Sequence, residues 1–372
     1  MRVLQVIGAM DCGGAESLVM NLYRNVDRTK VQFDFVVHTQ RHCFYDREIH
    51  CLGGTIYRAQ KYDVGNYFAY RRWWAEFFGA HPEYRVVHGH IGSSAAIYLH
   101  EARRAGRYAI AHSHNTSDSG ISLHRIAWEA CSWPTRFVAD SFFGCSRQAG
   151  IDRYGRRVVH SRRYRQFNNA IDGRRFRFSA PARERIRREY GLEDAFVVGH
   201  IGRFVPQKNH ERLLEIFRAV YARERSARLL LLGEGPLEGQ MRQRCAERGI
   251  ADAVIFAGVH DNAQDYDSAM DVFCFPSRWE GLGMAAVEAQ ANGLPCVAAD
   301  AVPREADIGA GLFEALSLKQ PDAIWADAIL ARRAQPHMRD AEAYLKAAGY
   351  DIAEQARWLM AFYLAAAEGK DL

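Results

Sequence analysis

The sequence predicts an α/β protein made of two doubly wound parallel-sheet domains. Three observations lead there. The chain has 372 residues, more than one hydrophobic core usually organises. Short β-rich apolar runs alternate with longer amphipathic stretches, which is the pattern of βαβ units. The alternation also runs through twice, separated by an Arg-crowded stretch with no strand of its own.

In the first pass, "RVLQVIG", "VQFDFVVHT", "GTIYRA", "RVVHGH" and "YAIAHSH" read as strands, with helical patterns such as "AESLVMNLYRNV" and "NYFAYRRWWAEFFGAH" between them. In the second, the strands are "FVVGHIG", "ARLLLLG", "AVIFAGV", "DVFCFP" and "PCVAAD". The intervening helices there are "NHERLLEIFRAVYARE", "PLEGQMRQRCAERG" and "GMAAVEAQANG". Residues 1–172 form the first expected domain, 173–194 a linker and 195–350 the second domain. The segment 351–372 has apolar residues at helical spacing and is expected to pack back on the first domain.

A composition of 48% hydrophobic and 25% charged residues is that of a globular chain, not a disordered one. A formal charge of +5 suits an anionic small molecule, an acidic membrane surface or nucleic acid alike, so its sign decides nothing. Eight cysteines without CxxC spacing read as reduced, buried thiols. The opening "MRVLQVIGAMDCGGAE" reads as a strand and turn, not a signal peptide. No apolar run approaches the roughly 20 residues that span a bilayer. A cytoplasmic protein is the expectation.

In open parallel sheets, ligands bind beyond the carboxyl ends of the strands, so the residues just after each strand carry the functional signal. After the first strand comes "GAMDCGGAESL", where Gly13 and Gly14 allow a tight turn and the following helix offers N–H groups to an anion. A plain Gly-rich turn is the competing reading. "RVVHGH" and "AIAHSHN" end two strands with HxH pairs, which put His88 with His90 and His112 with His114 on shared faces. Such pairs suit a metal ion, or hydrogen bonding to a sugar or phosphate.

"GHIGRFVPQKNH" places Gly202, Arg203 and Lys208 between a strand and a helix that Asn209 is expected to cap. Two cations beside a glycine suit a diphosphate, Arg by its fork and Lys as a point charge. "LLLLGEGPLEGQ" tempts a dinucleotide reading, but its spacing is GxGxxxG and the next strand lacks the acid that grips a ribose. It reads as structural support. In "PSRWEGLGMAAVEAQANG", Glu280 falls in a loop and Glu288 about one turn into a helix. The N–H groups of Gly281, Leu282, Gly283 and Met284 face the same place. Carboxylates accept from paired hydroxyls, so two acids around a basic, N–H-rich site imply a ligand with phosphate and polyol parts, as in a nucleotide sugar.

These residues resemble a known family, the retaining glycosyltransferases of the GT-B fold in family 4, especially bacterial exopolysaccharide and capsule enzymes. The likeness runs through "GGAE", "HSHN", "NNAID", "GRFVPQKN", "LLLLGEGP" and an E-x7-E block, and covers essentially the whole chain. The resemblance implies two Rossmann-like domains facing an interdomain cleft. It implies that Arg203 and Lys208 hold the donor diphosphate and that Glu280 hydrogen-bonds the donor sugar near the N–H groups of Leu282 to Ala285. Glu288 would take the ribose and Gly14 would close on the phosphates. His114, or the adjacent His112, would contact the sugar. It further implies transfer from a nucleotide sugar, with UDP as the expected carrier, to a saccharide or lipid-linked saccharide acceptor, with retention and without a required metal. Two departures stand out: Asn169 replaces the usual Gly in "NNAID", and "READIGAGLF" around Glu305 replaces a Gly-rich stretch.

The run "RYGRRVVHSRRYRQF", Arg153 to Phe167, is either a solvated face or a basic, aromatic surface for anionic lipid at the inner face of the membrane. In "YRRWWAEFF", Trp74 and Phe78 suit core packing better than anchoring. Nucleic acid is not an expected partner. The alternatives to a glycosyltransferase are a metal-dependent hydrolase using the HxH pairs and a non-catalytic nucleotide-sugar-binding subunit.

Overall fold

The computed structural model describes residues 1–11, 13–114 and 132–370. They fall into two compact units, Met1–Ile171 with Gly349–Leu372, and Asp172–Ala348.

The first unit holds a seven-stranded sheet of β1 (Arg2–Ile7), β2 (Gln32–Val37), β3 (Ile56–Arg58), β4 (Tyr84–Gly89), β5 (Tyr108–Ser113), β6 (Ser141–Gly144) and β7 (Tyr164–Gln166). Its order is β3-β2-β1-β4-β5-β6-β7 with every pair parallel. Helices cover both faces, so β1 carries apolar side chains on both sides, with the buried Gln5 as its polar exception. Val3 and Ile7 pack with Tyr23, Phe35 and Leu359, while Leu4 and Val6 pack with Trp74, Phe78 and Tyr98. Trp74 and Phe78 are thus core residues.

The helix Ile352–Ala367 belongs to this unit and starts at Asp351, whose side chain accepts from the Glu354 N–H at 2.9 Å. It buries Ile352, Ala356, Leu359, Phe362 and Tyr363 in the core that contains Val3 and Ile7.

The second unit has β8 (Phe196–Ile201), β9 (Ala227–Leu232), β10 (Val254–Gly258), β11 (Val272–Phe275), β12 (Cys296–Ala299) and β13 (Phe313–Leu316). Their order is β10-β9-β8-β11-β12-β13, again all parallel. Both sheets are therefore doubly wound. Strand order reverses between β1 and β4 in one unit and between β8 and β11 in the other, where such sheets bind ligands.

Several details differ from expectation. β6, β7 and β13 are short, at 4, 3 and 4 residues, and their sequences SFFG, YRQ and FEAL carry little pattern. The stretch 173–194, expected as a linker, contains the helix Ala180–Tyr190, capped by Ser179 and closed by Gly191 in the left-handed region at φ 64°. Arg183 and Arg187 of this helix converge on Asp271, just ahead of β11.

The basic run from Arg153 to Phe167 is no single surface. Arg153 is buried and donates to the Ile91 carbonyl at 3.1 Å. Phe167 is buried against Phe143, and the Arg165 guanidinium lies 3.7 Å from the Trp358 ring centre. Arg156, Arg157 and Arg162 remain exposed on it. Among the described residues, no helix is long and apolar enough to cross a membrane.

Candidate functional site

In the second unit, the loops after β8 and β11 are laced together. Gln207 donates from Nε2 to the Trp279 carbonyl at 2.9 Å and to Glu280 Oε2 at 3.3 Å, and accepts at its carbonyl from the Arg278 N–H at 2.8 Å. Asn209 does not cap the next helix with its side chain. Its backbone is left-handed at φ 56°, and its side chain donates to the Pro276 carbonyl and accepts from Arg278. The two loops that carry the candidate donor-binding residues are therefore one rigid piece.

Lys208 and Glu280 meet at its centre. Lys208 Nζ donates to Glu280 Oε1 at 2.6 Å and lies 4.9 Å from the Phe275 ring centre. Glu280 is 7% exposed. Arg203 behaves differently: it is exposed, and its guanidinium has no ion-pair partner among the described residues. One cation is thus pre-paired with the candidate sugar-binding acid, and the other stands open to a diphosphate.

Gly281 and Leu282 are buried, and Gly283, at φ 95°, turns the chain into the helix Met284–Ala291. A Cβ on Gly283 would crowd Val302 and Phe275, so that turn calls for glycine. The helix start leaves its first N–H groups, at Met284 and Ala285, free of intrahelical partners. Glu288 follows one turn later. Burial pushes its carboxyl up to about 7, against the opposing pull of Arg175 and Lys208. The structure therefore brings Lys208 and Glu280 into contact, with Glu288 near enough to feel the Lys208 charge.

Three supporting residues escaped the sequence reading. Asp267 is buried, with no partner for either carboxylate oxygen among the described residues, and burial followed by the Glu288 charge holds it well above the carboxylate range. His200 donates from Nδ1 to the Cys274 carbonyl at 2.9 Å, and His210 stacks on Phe204. Both imidazoles stay neutral through burial beside Lys208, with His210 lowered to about 4.

The Gly-rich turn after β9 buttresses this loop. Gly233, at φ 131°, lies against the Gly202 carbonyl, and Gly235 against the Phe204 backbone, so a Cβ on either would collide with main chain. Gly233→Ala is expected to lower stability by about 1–3 kcal/mol and to weaken nucleotide binding through a displaced Gly202–Phe204 loop. A thermal melt unchanged from wild type would contradict this.

In the first unit, Gly13 precedes the helix Gly14–Asn25 in extended backbone, and a Cβ there would meet the Glu16 carboxylate. Gly14 has open space beside it. Cys12, between these glycines and Asp11, lies outside the described residues, as does Cys131.

The two HxH pairs sit on the adjacent strands β4 and β5 and at their ends. His88 Nε2 is 3.2 Å from His112 Nδ1, and His90 Nδ1 is 2.8 Å from His114 Nε2. The outer nitrogens of the first pair are held by helix and strand: His88 Nδ1 lies 2.5 Å from the Tyr363 hydroxyl and His90 Nε2 donates to, or accepts from, Gln5 at 2.9 Å. Burial drives all four imidazoles far below their usual range, His114 to about 3, so all four are neutral. His88, His90 and His112 offer ligand atoms within 4.8 Å of one another, a spacing open to a transition metal. Here His88 Nε2 and His112 Nδ1 bond each other, while His90 bonds Gln5 and His114.

Residues 182–330 match the family described as glycosyl transferases group 1. The chain is 32% identical to EpsF of Bacillus subtilis (strain 168), assigned as a glycosyltransferase, over 97% of this chain and 96% of EpsF. It is 33% identical to the lipopolysaccharide core biosynthesis mannosyltransferase LpsB of Rhizobium meliloti (strain 1021) over 36% of this chain and 39% of LpsB. In fold it is similar to Anabaena Alr3699/HepE, solved in complex with UDP, with a TM-score of 0.80 at 17% identity, covering 98% of this chain and 100% of that one.

Proposed function

Because the chain belongs to the group 1 glycosyl transferases, with the GT-B pairing of two Rossmann-like units, we propose that it moves a hexosyl or N-acetylhexosaminyl group from a UDP-sugar to a lipid-linked saccharide, with retention of configuration. That it is a glycosyltransferase of polysaccharide or glycoconjugate biosynthesis follows from the family. The single observation that carries the finer reading is the Lys208–Glu280 pair, set at the carboxyl ends of β8 and β11 where strand order reverses.

In this reading Arg203 and Lys208 hold the diphosphate. They stabilise the negative charge that grows as the bond to the anomeric carbon breaks, as do the N–H groups of Gly281, Leu282, Gly283, Met284 and Ala285. Gly202 keeps the backbone small where Arg203 leaves the strand. Glu280 orients the sugar by hydrogen bonds, and Glu288 accepts from the ribose hydroxyls. His112 and His114 meet a hydroxyl of the sugar substrate, and Gly13 and Gly14 offer N–H groups to an anion. Fixed cations and amides supply the charge stabilisation, so the chemistry calls for no metal ion.

Support for UDP comes from the UDP-bound structure of HepE, and support for a lipid-linked acceptor from LpsB, which acts in lipopolysaccharide core assembly. The exposed Val64, Phe68, Trp133 and Phe137 are side chains that an anionic membrane's inner face would accept.

A thermal-shift panel of UDP-, GDP- and ADP-sugars tests the reading, because a ligand that binds only the native state raises its melting temperature. A UDP-sugar should raise it most, and no shift with any nucleotide sugar would sink the proposal. The same ligand tests Glu288. With its carboxyl at about 7, half the molecules are protonated at neutral pH, and only the ionised form accepts two ribose hydroxyls. Affinity should therefore rise about tenfold from pH 6 to pH 8 and level off above. Glu288→Gln should flatten the profile, while an affinity falling with pH would contradict the assignment.

A further inference from the structure

The four histidines, Gln5 and Tyr363 form one continuous hydrogen-bond network. Gln5 Nε2 donates to the Tyr363 hydroxyl at 3.2 Å, and that hydroxyl is 2.5 Å from His88 Nδ1. His88 passes the chain on to His112, while Gln5 Oε1 begins a second chain through His90 to His114. Each chain ends on a buried atom with no partner among the described residues, His112 Nε2 and His114 Nδ1. The two rings that carry these atoms have centres 4.1 Å apart.

A neutral imidazole has one N–H and one lone pair, so each link fixes the next. With Gln5 Nε2 donating to Tyr363, the tyrosine donates to His88 Nδ1. His88 then donates from Nε2 to His112 Nδ1, and His112 ends on a free Nε2–H. In the other chain Gln5 Oε1 accepts from His90 Nε2–H, His90 Nδ1 accepts from His114 Nε2–H, and His114 ends on a free Nδ1 lone pair. Turning the Gln5 amide over reverses every link in both chains together. In either state all four histidines share one tautomer, and the two terminal atoms have opposite polarity.

We propose that Gln5 and Tyr363 are positioning residues that lock these histidines in a common tautomer, so that His112 and His114 present one donor and one acceptor to a single substrate hydroxyl. The proposal rests on the reading that this pair meets the sugar substrate. Gln5 and Tyr363 touch no substrate themselves. They come from β1 and from the helix Ile352–Ala367, and act only through the rings.

The test begins without any ligand. Long-range proton–nitrogen correlation spectra of nitrogen-15 histidine-labelled protein report the tautomer of each ring. Wild type should show one tautomer at all four positions. Gln5→Glu replaces the amide by a group that only accepts, so Tyr363 and His90 must both donate to it. His88 and His112 then become Nδ1–H while His90 and His114 become Nε2–H, and the terminal atoms turn into two acceptors. Tyr363→Phe keeps the ring and unties only His88 and His112, leaving His90 and His114 unchanged, and serves if Gln5→Glu fails to fold.

Both variants should lose about tenfold or more in kcat/KM, with melting temperature followed as a control. Mixed tautomers in wild type, spectra unmoved by either substitution, or wild-type kcat/KM in a variant whose tautomers have changed would each overturn the proposal. Full activity in both His112→Ala and His114→Ala would instead overturn the assignment of this pair to the sugar.

Discussion

Lys208→Ala and Glu280→Ala should each lower the transfer rate by about 10²–10³-fold or more, the scale for removing one preorganised group that stabilises charge at a reacting centre. Each side chain has two partners to serve. Before substrate binds, the ammonium and the carboxylate neutralise one another at 2.6 Å in a setting where Glu280 is 7% exposed. When a diphosphate and a sugar arrive, both ions gain new hydrogen bonds without having to be assembled, because the loops that carry them are already tied by Gln207, Asn209 and Arg278. Loss of one partner also leaves a buried charge, so the single variants should melt earlier than wild type. The double variant separates structure from chemistry. Its melting temperature should recover toward wild type while transfer stays lost, as measured by initial rates beside a thermal melt. Recovery of both would reduce the pair to a structural salt bridge.

Asp271→Ala should destabilise the second unit by about 3–5 kcal/mol, the scale for stranding a buried charge, here the Arg187 guanidinium, by removing its partly buried partner. Asp271 Oδ2 accepts from Arg187 Nη2 at 2.6 Å and from the Val197 N–H at 2.7 Å, while Oδ1 accepts from Arg183 Nη2 at 2.5 Å. One carboxylate thus holds the helix Ala180–Tyr190 against the start of β8, and Arg187, itself buried, has no other acid to turn to among the described residues. For a unit of this size the loss amounts to roughly 6–20 °C in melting temperature. Calorimetry should show it with the nucleotide-sugar site intact at low temperature. A shift below about 2 °C would mean that the guanidiniums find water instead.

That helix also shows where the sequence could be read and where it could not. The strands β1, β4, β8 and β11 announce themselves as apolar runs ending in Gly, His or Pro, and the residues beyond them include most of the candidate site. Glu280 and Glu288 stand out because acids are rare in so apolar a segment. The helix Ala180–Tyr190 hides because its buried face includes Arg187, whose aliphatic stem packs inward while its head finds Asp271, a pairing no local pattern contains. Asp267 hides for a similar reason, since its neighbours Asp265 and Ser268 look like an exposed helix. The HxH pairs are legible as motifs, but their partners Gln5 and Tyr363 lie far along the chain and become neighbours only through the fold. The basic run after Arg153 is legible only in part, because Arg153 and Phe167 turn inward while Arg156, Arg157 and Arg162 stay exposed.

The chain crosses from the first unit to the second and returns for its last helix, and that return has a consequence for biosynthesis. Tyr363 leaves the ribosome only after all of Asp172–Ala348 has been made, about 10–40 s after Ile171 at the usual elongation rate of roughly 5–20 residues per second. Until then the nascent first unit lacks Leu359, Phe362 and Tyr363 from its core, and its histidines have no tyrosine to orient them. The order of synthesis therefore places the Tyr363–His88 bond among the last contacts of the first unit to form.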